Sequence, residues 1–341
     1  MEGEQRSAAM KPTSTNRNVS LCAWVLSVVA LACLFVPILS VAQQSAITAS
    51  ASAPTRGIPA GTKTFDTSQQ AADALVRAAD QFDETALAQI FGPDGHDIAF
   101  TGDVVQDRQR AAEFAAEARE KTKVSVEPKN GLWAYLLVGN EDWPFPVPIV
   151  KRSNRWFFDS NAGRQEILNR RIGSNELDAI NISHEYVEAQ KEYALQKREG
   201  YDVNQYAQRI ISTPGKQDGL SWRNADGTLG GPFSEEIAEA ITQGYTSKAE
   251  PYHGYFFKVL KGQGPAATPV GELDYVIKGA MIGGFALIAS PAEYRVTGVK
   301  TFIVNNDGVV YEKDLGPSTL DEFKKMERFN PDKTWTPVED D

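Results

Sequence analysis

"TFIVNNDGVVYEKDLGP", residues 301–317, places two amides and an acid directly before Gly308, with further acids behind. Two readings compete. A calcium loop of the EF-hand kind needs oxygen ligands at alternate positions, then a glycine, then a distant closing glutamate. Only Asn305 and Asp307 meet that pattern; Ile303 breaks the alternation and no glutamate closes the loop. A hairpin needs a turn that accepts positive φ between two apolar runs. Asp307-Gly308 between "TFIV" and "VVY" supplies it, so the stretch predicts a β-hairpin. Glu312, Lys313 and Asp314 then read as a solvated strand end.

The hairpin extends outward into a sheet. "YHGYFFKVL" (252–260), "ELDYVIK" (272–278), "IGGFALIAS" (282–290), "VKTFIVN" (299–305) and "VVYEKDL" (309–315) are short strand-like runs separated by turns. They predict an antiparallel meander. Gly283-Gly284 inside one run predicts a bulge or a close backbone approach. Before the meander, "GRQEILNRRIG" (163–173) reads as a connecting helix. A long helix is expected from Ser174, as N-cap, to about Arg198. Its stripes, Ile182, Tyr186, Ala189, Tyr193 and Leu177, Ile180, His184, Val187, make a face broad enough to lie on a sheet. Ser234 is placed to cap a short helix through Ile237 and Ile241, and Ser318 a last helix through Leu320, Phe323 and Met326.

The N-terminal half begins with helices. Thr67 and Gln70 form a capping-box pair, followed by Ala71, Leu75, Ala78 and Phe82 at helical spacing. Asp83 is placed to cap a second helix carrying Leu87, Ile90 and Phe91, stopped by Gly92-Pro93. A third helix is expected from Asp107 through Ala111, Phe114, Ala115 and Ala118. The period then changes to two: "KVSVE" (123–127) and "LWAYLLV" (132–138) flank Asn130-Gly131, a hairpin signal. In "EDWPFPVPIVKRSNRWFFD" (141–159), Pro144, Pro146 and Pro148 remove donors from one side of the chain. That predicts a protected edge strand, with "RWFFD" as its partner. The fold class expected is α+β: N-terminal helices with a curved antiparallel sheet (65–162), then a long helix packed on an antiparallel meander (163–341).

Three helices before a curved sheet resemble the cystatin-like cone fold of the nuclear-transport-factor-two-like superfamily. "PYHGYFFKVL" with "IGGFALIASPAEYRVTGVKTFIVNNDGVVYEKDLGP" resembles the C-terminal sheet of pilin-like and pseudopilin-like proteins. "ELDAINISHEYVEAQKEYA" resembles the soluble half of their long helix, but the membrane half is replaced here by the whole first unit. Taken together, "EDWPFPVPIV", "WFFDSNAGRQEILNRRIG", "STPGKQDGL", "PYHGYFF", "MIGGFALIASPAEY" and "TFIVNNDGVVYEKDLGP" resemble an exported bacterial family known only as domain of unknown function 2950. The resemblance implies an exported two-part protein and supplies no catalytic residues.

The first 64 residues speak of location. Residues 1–20 are polar with Arg6, Lys11 and Arg17; residues 21–42 carry no charge and end in Ser40-Val41-Ala42. This is the layout of a secretory signal peptide, expected over residues 1–42. The alternative is a retained anchor over residues 21–42, since the run is almost long enough to span a bilayer. Residues 43–64 are small, polar and Pro/Gly-rich, and predict a flexible linker. Cys22 and Cys33, the two cysteines, both lie in the apolar run. A cleaved chain is therefore cysteine-free, without disulfides or cysteine ligands.

Across its 341 residues the protein is 42 % hydrophobic and 23 % charged, with a net charge of −10. Phosphate binding needs clustered Lys and Arg, so nucleic acid is not an expected partner. The histidines are His96, His184 and His253; none sits in HExxH or His-x-His spacing, so neither a metal nor a cofactor is expected. His184 and His253 read as packed residues and His96 as a loop residue. No GxSxG or phosphate-loop spacing occurs, and no catalytic residue is assigned. The candidate ligand site is an aromatic pocket in the first unit. It is built from Trp133, Tyr135, Trp143 and Trp156, with Asp142, Arg155 and Asp159 at its mouth. The alternative is that these aromatics are core. The expected function is a non-enzymatic envelope module binding a small apolar ligand or other envelope proteins. The rival is a hydrolase or isomerase using carboxylates in that pocket.

Overall fold

The computed structural model describes residues 57–197, 202–233 and 251–339. The expected signal segment, most of the linker, the last residue of the expected long helix and the helix expected from Ser234 lie outside the described residues.

The first helices form where their caps dictate. Helix α1 (Ser68–Gln81) is capped by Thr67, whose Oγ1 accepts from Gln70 N at 3.1 Å. The return arm of the box reaches one residue further out: Gln70 Oε1 accepts from Asp66 N at 3.2 Å. Helix α2 (Glu84–Phe91) is capped by Asp83 through Ala86 N at 3.0 Å. A short helix, α3 (His96–Ala99), follows where a loop was expected. Helix α4 (Val104–Glu120) begins earlier than Asp107, because Asp103 is the residue that caps it. Asp107 is instead buried and accepts from Thr101 N and Thr101 Oγ1, the latter at 2.7 Å. Both acids suit a helix start. Thr101 engages one of them inside the fold and leaves the other to cap.

The first sheet comprises β1 (Thr122–Val126), β2 (Trp133–Val138), β3 (Trp143–Pro144), β4 (Ile149–Arg152) and β5 (Arg155–Phe158). The order is β1-β2-β4-β5, with β3 also on β2. The β1–β2 hairpin pairs Thr122 with Val138 and Val126 with Ala134. The proline run is not an outer edge. It joins two strands that both pair with β2, and β5 covers the other side. Phe145 N donates to Leu136 O at 2.7 Å, while Pro148 O accepts from Asp159 N at 2.9 Å. At Pro148 the missing donor thus faces β5, where only the carbonyl is used. Ala134, Leu136 and Val138 point from β2 into a core with Leu75, Ile90 and Phe158.

Helix α5 (Ser160–Tyr193) is one continuous helix of 34 residues, where two helices were expected. Asp159, not Ser174, is its N-cap, accepting from Ala162 N at 3.2 Å. The Gly173-Ser174 pair does not stop it; neither residue removes a backbone donor, as proline would. Its N-terminal turns hold the first unit: Ser160 Oγ donates to Phe91 O at 2.6 Å. Its C-terminal turns bury Ile182, Tyr186, Ala189 and Tyr193 in a second core. On the companion stripe Val187 is buried, while Leu177 is 63 % exposed.

The second sheet has the order β10-β9-β8-β7-β6: β10 (Thr336–Pro337), β9 (Val310–Asp314), β8 (Lys300–Asn305), β7 (Ala286–Pro291) and β6 (Tyr255–Leu260). All its pairings are antiparallel. The "ELDYVIK" run stays outside this sheet and forms two small ribbons, Leu273–Asp274 with Gly262–Gln263 and Val276–Ile277 with Ala280–Met281. The opening stretch is a hairpin: Gly308 N donates to Asn305 O at 3.0 Å, and Asp307 N to Asn305 Oδ1 at 3.1 Å. Only Gly308 of the Asp-Gly pair takes positive φ, at 84°. Helix α5 lies on this sheet through Tyr186, whose ring meets Phe285 at 5.7 Å and whose hydroxyl donates to Ala286 O. Helix α6 (Thr319–Lys325) follows Ser318, but that side chain makes no capping bond.

Candidate functional site

Strand geometry distributes the expected pocket residues over two faces. Successive side chains alternate across a sheet. Ala134 and Leu136 enter the helix-side core, so Trp133 and Tyr135 stand on the opposite face, with Tyr135 42 % exposed. Trp156 is buried in the helix-side core beside Phe158. Trp143 is half-buried at the edge of that core, with the Arg170 guanidinium 4.9 Å from its ring centre. These four aromatics do not wall one cavity.

The three charged residues are equally dispersed. Asp142 pairs with Lys121 at 2.8 Å, and that hydrogen bond, against some burial, holds its carboxyl below the usual range. Asp159 caps α5 and pairs with Arg152 at 3.2 Å. Arg155 donates to Thr64 O at 3.1 Å and pairs with Asp66. Each has a separate structural partner, and no two of them share a mouth. Burial, then the carboxylates of Glu127 and Glu166, raise the Tyr135 hydroxyl above its ordinary value.

A cleft of about 690 Å³ opens elsewhere in the first unit, at the ends of α1, α2, α3 and α4. Its construction starts at Phe82, whose left-handed backbone (φ 47°) ends α1 and turns the chain into α2. The stop at Gly92-Pro93 turns the chain again into α3. A strap of residues 59–63 closes one side: Thr62 N donates to Pro59 O at 3.1 Å and Lys63 N to Gln89 O at 2.8 Å. The end of the expected flexible linker is therefore fixed to the fold. Phe82, Ala88, Pro93, Phe100 and Val104 give apolar walls; Glu84, Gln89, His96 and Asp107 are among the polar lining groups. The His96 ring lies 5.0 Å from that of Phe100.

Sequence reasoning missed this cleft because its wall comes from helix ends and loops, which carry no period. The available signal was apolar residues stranded in a polar stretch. Phe100, Val104 and Val105 interrupt "HDIAFTGDVVQD", and Val104 and Val105 are 56 % and 78 % exposed. His184 is half-buried on α5, in line with a packed reading. His253 differs from expectation. It is exposed, stacks on Tyr252 at 4.2 Å, and sets Nδ1 2.6 Å from Asp178 Oδ2. Among the described residues no three His, Cys, Asp or Glu side chains gather at metal-binding distance, and no helix is long and apolar enough to cross a membrane.

The family described as "Protein of unknown function (DUF2950)" matches residues 62–338. The chain belongs to this family. The matched span takes in nearly the whole wall of the cleft, all of α5 and both sheets. No curated protein and no solved structure matches the chain.

Proposed function

We propose that the protein is exported and works outside the cytoplasm as a binding module, periplasmic or extracellular, with the α1–α4 cleft as its ligand site. The observation that carries this reading is the cleft itself. An open cleft of about 690 Å³ with mostly apolar walls and a few polar lining groups falls in the size range of a small-molecule site. Export is supported by the basic start, the uncharged run of residues 21–42 and the small residues Ser40 and Ala42. Retention of that run would leave the module anchored at the membrane by the same segment. The carboxylates Asp142 and Asp159 are engaged in separate ion pairs, which supports the binding reading over a hydrolase or isomerase that would use them together.

A thermal-shift panel of small molecules on the purified protein tests the site. Ala88→Trp fills the cleft from a half-buried wall position. Ligands that raise the melting temperature of the wild-type chain are expected to lose that effect in Ala88→Trp. Equal shifts in both chains would place binding elsewhere.

A further inference from the structure

We propose that the cleft selects a small organic cation, an ammonium or amidinium group carried on an apolar or aromatic body. This inference rests on the cleft being the ligand site. It starts from charge. Of the ionisable groups lining the cleft, Glu84 and Asp107 are acids and His96 is the one base; among the described residues no lysine or arginine lines it. A carboxylate or phosphate ligand would meet two acids in a partly desolvated site, where like charges repel more strongly than in water.

The two acids are not equivalent. Asp107 is buried and its oxygens already accept from Thr101 N and Thr101 Oγ1. Glu84, the first residue of α2, is exposed and stands at the cleft wall. It is the acid placed to meet a ligand's positive group. The apolar walls add a second preference. Cations are drawn to the faces of aromatic rings, and Phe82 and Phe100 both line the cleft. The Phe82 ring is buried and already carries the Arg108 guanidinium 4.6 Å from its centre, so Phe100 is the ring left to a ligand's cation. Val104, more than half exposed, extends the apolar wall to the rim and would cover the body of such a ligand.

Isothermal titration calorimetry of the full chain with three matched probes tests the assignment: 4-phenylbutylamine, 4-phenylbutanol and 4-phenylbutyrate. The amine is expected to bind about fivefold more tightly than the alcohol, with the carboxylate weakest, on the scale of one cation–π contact plus an exposed ion pair. Glu84→Gln is expected to cut the amine's advantage over the alcohol to about twofold, the part a ring face supplies. Val104→Lys, at an exposed position, is expected to abolish amine binding while the circular dichroism spectrum stays unchanged. Alcohol or carboxylate binding as tight as the amine's, or an amine preference that is undiminished in Glu84→Gln, overturns the cation assignment and leaves the cleft as a site. If none of the three probes binds, or if Ala88→Trp binds them all equally well, the cleft reading falls and takes this assignment with it.

Discussion

Arg170 and Arg171 are neighbours on one helix and hold opposite halves of the molecule. The Arg170 guanidinium donates to Pro144 O at 2.8 Å and stacks over Trp143, both in the first unit. Arg171 donates to Val296 O at 3.2 Å, in the second. Two residues later comes Gly173, where an added Cβ would meet nothing within 4 Å. Helix α5 is thus the mechanical link between two hydrophobic cores, and its most weakly specified point lies at their junction.

Gly173→Ala is expected to raise stability by about 0.5–1 kcal/mol, by lowering the entropy of the unfolded chain at a position with room for a methyl group. Gly173→Pro should cost about 3 kcal/mol or more. It should also split a single denaturant transition into two, because the cores on either side lose their common helix. Equilibrium unfolding followed by both far-UV circular dichroism and tryptophan fluorescence reads both outcomes.

The hairpin and the paired glycines make a graded prediction. At Gly308 (φ 84°) an added Cβ meets only Val187 Cγ1 at 4.0 Å, so Gly308→Ala should cost about 1 kcal/mol of backbone strain alone. At Gly284 (φ 139°) the same atom lies 2.8 Å from Asn306 Oδ1 and from the Tyr275 ring. Gly284→Ala adds a steric clash to the strain and should cost about 3 kcal/mol or more. Urea melts of the two variants should keep that order.

Acid sensitivity is expected at Asp218. Burial alone would raise its carboxyl, but hydrogen bonds from Thr213 N and Thr213 Oγ1, at 2.7 and 2.8 Å, and nearby Arg209 outweigh it and hold it below its ordinary value of 3.8. A depressed folded pKa means the unfolded chain binds protons first on acidification. The stabilisation is therefore complete above the ordinary value and lost as pH falls below it. Asp218→Asn should flatten the melting-temperature profile on the acid side of about pH 4 while lowering it at neutrality.

Alkaline sensitivity is expected at Tyr275. Burial, then the charge of Asp307, push its hydroxyl up to about 12. The neutral phenol donates to Gln263 Oε1 at 2.9 Å. Because the folded pKa is raised, stability is full below the ordinary value of 10 and declines as pH rises from there toward 12. Tyr275→Phe should remove that decline at the cost of about 1 kcal/mol for the lost hydrogen bond at neutral pH.

The hairpin at Asp307-Gly308, the caps at Thr67 and Asp83, and the α5 stripe of Ile182, Tyr186, Ala189 and Tyr193 were legible in the sequence because each depends on neighbours a few residues apart. The errors have long-range causes. Asp107 was read as a helix start, but Thr101 draws it into the fold. Ser174 reads as a cap, yet α5 runs past it, tied to the first unit at Ser160 and buried in the second core from Ala179 onward. The proline run reads as an edge strand with "RWFFD" as its partner; that pairing forms, but β2 pairs along the other side. For the candidate site, the sequence correctly supplied an aromatic-rich first unit but not the faces on which Trp133, Tyr135 and Trp156 stand. A strand's alternation is visible in sequence; which phase faces the helices is decided by packing. The cleft, assembled from four helix ends and a strap, has no sequence period at all.

The most direct test of the account is native mass spectrometry of the protein purified from its own envelope fraction. The expected mass is that of a chain beginning at Gln43, or of one retained at the membrane with its N-terminus intact, in either case with a reproducible small additional mass that Ala88→Trp removes. A full-length chain recovered from the cytoplasm, with no bound mass under conditions that preserve weak complexes, would contradict it.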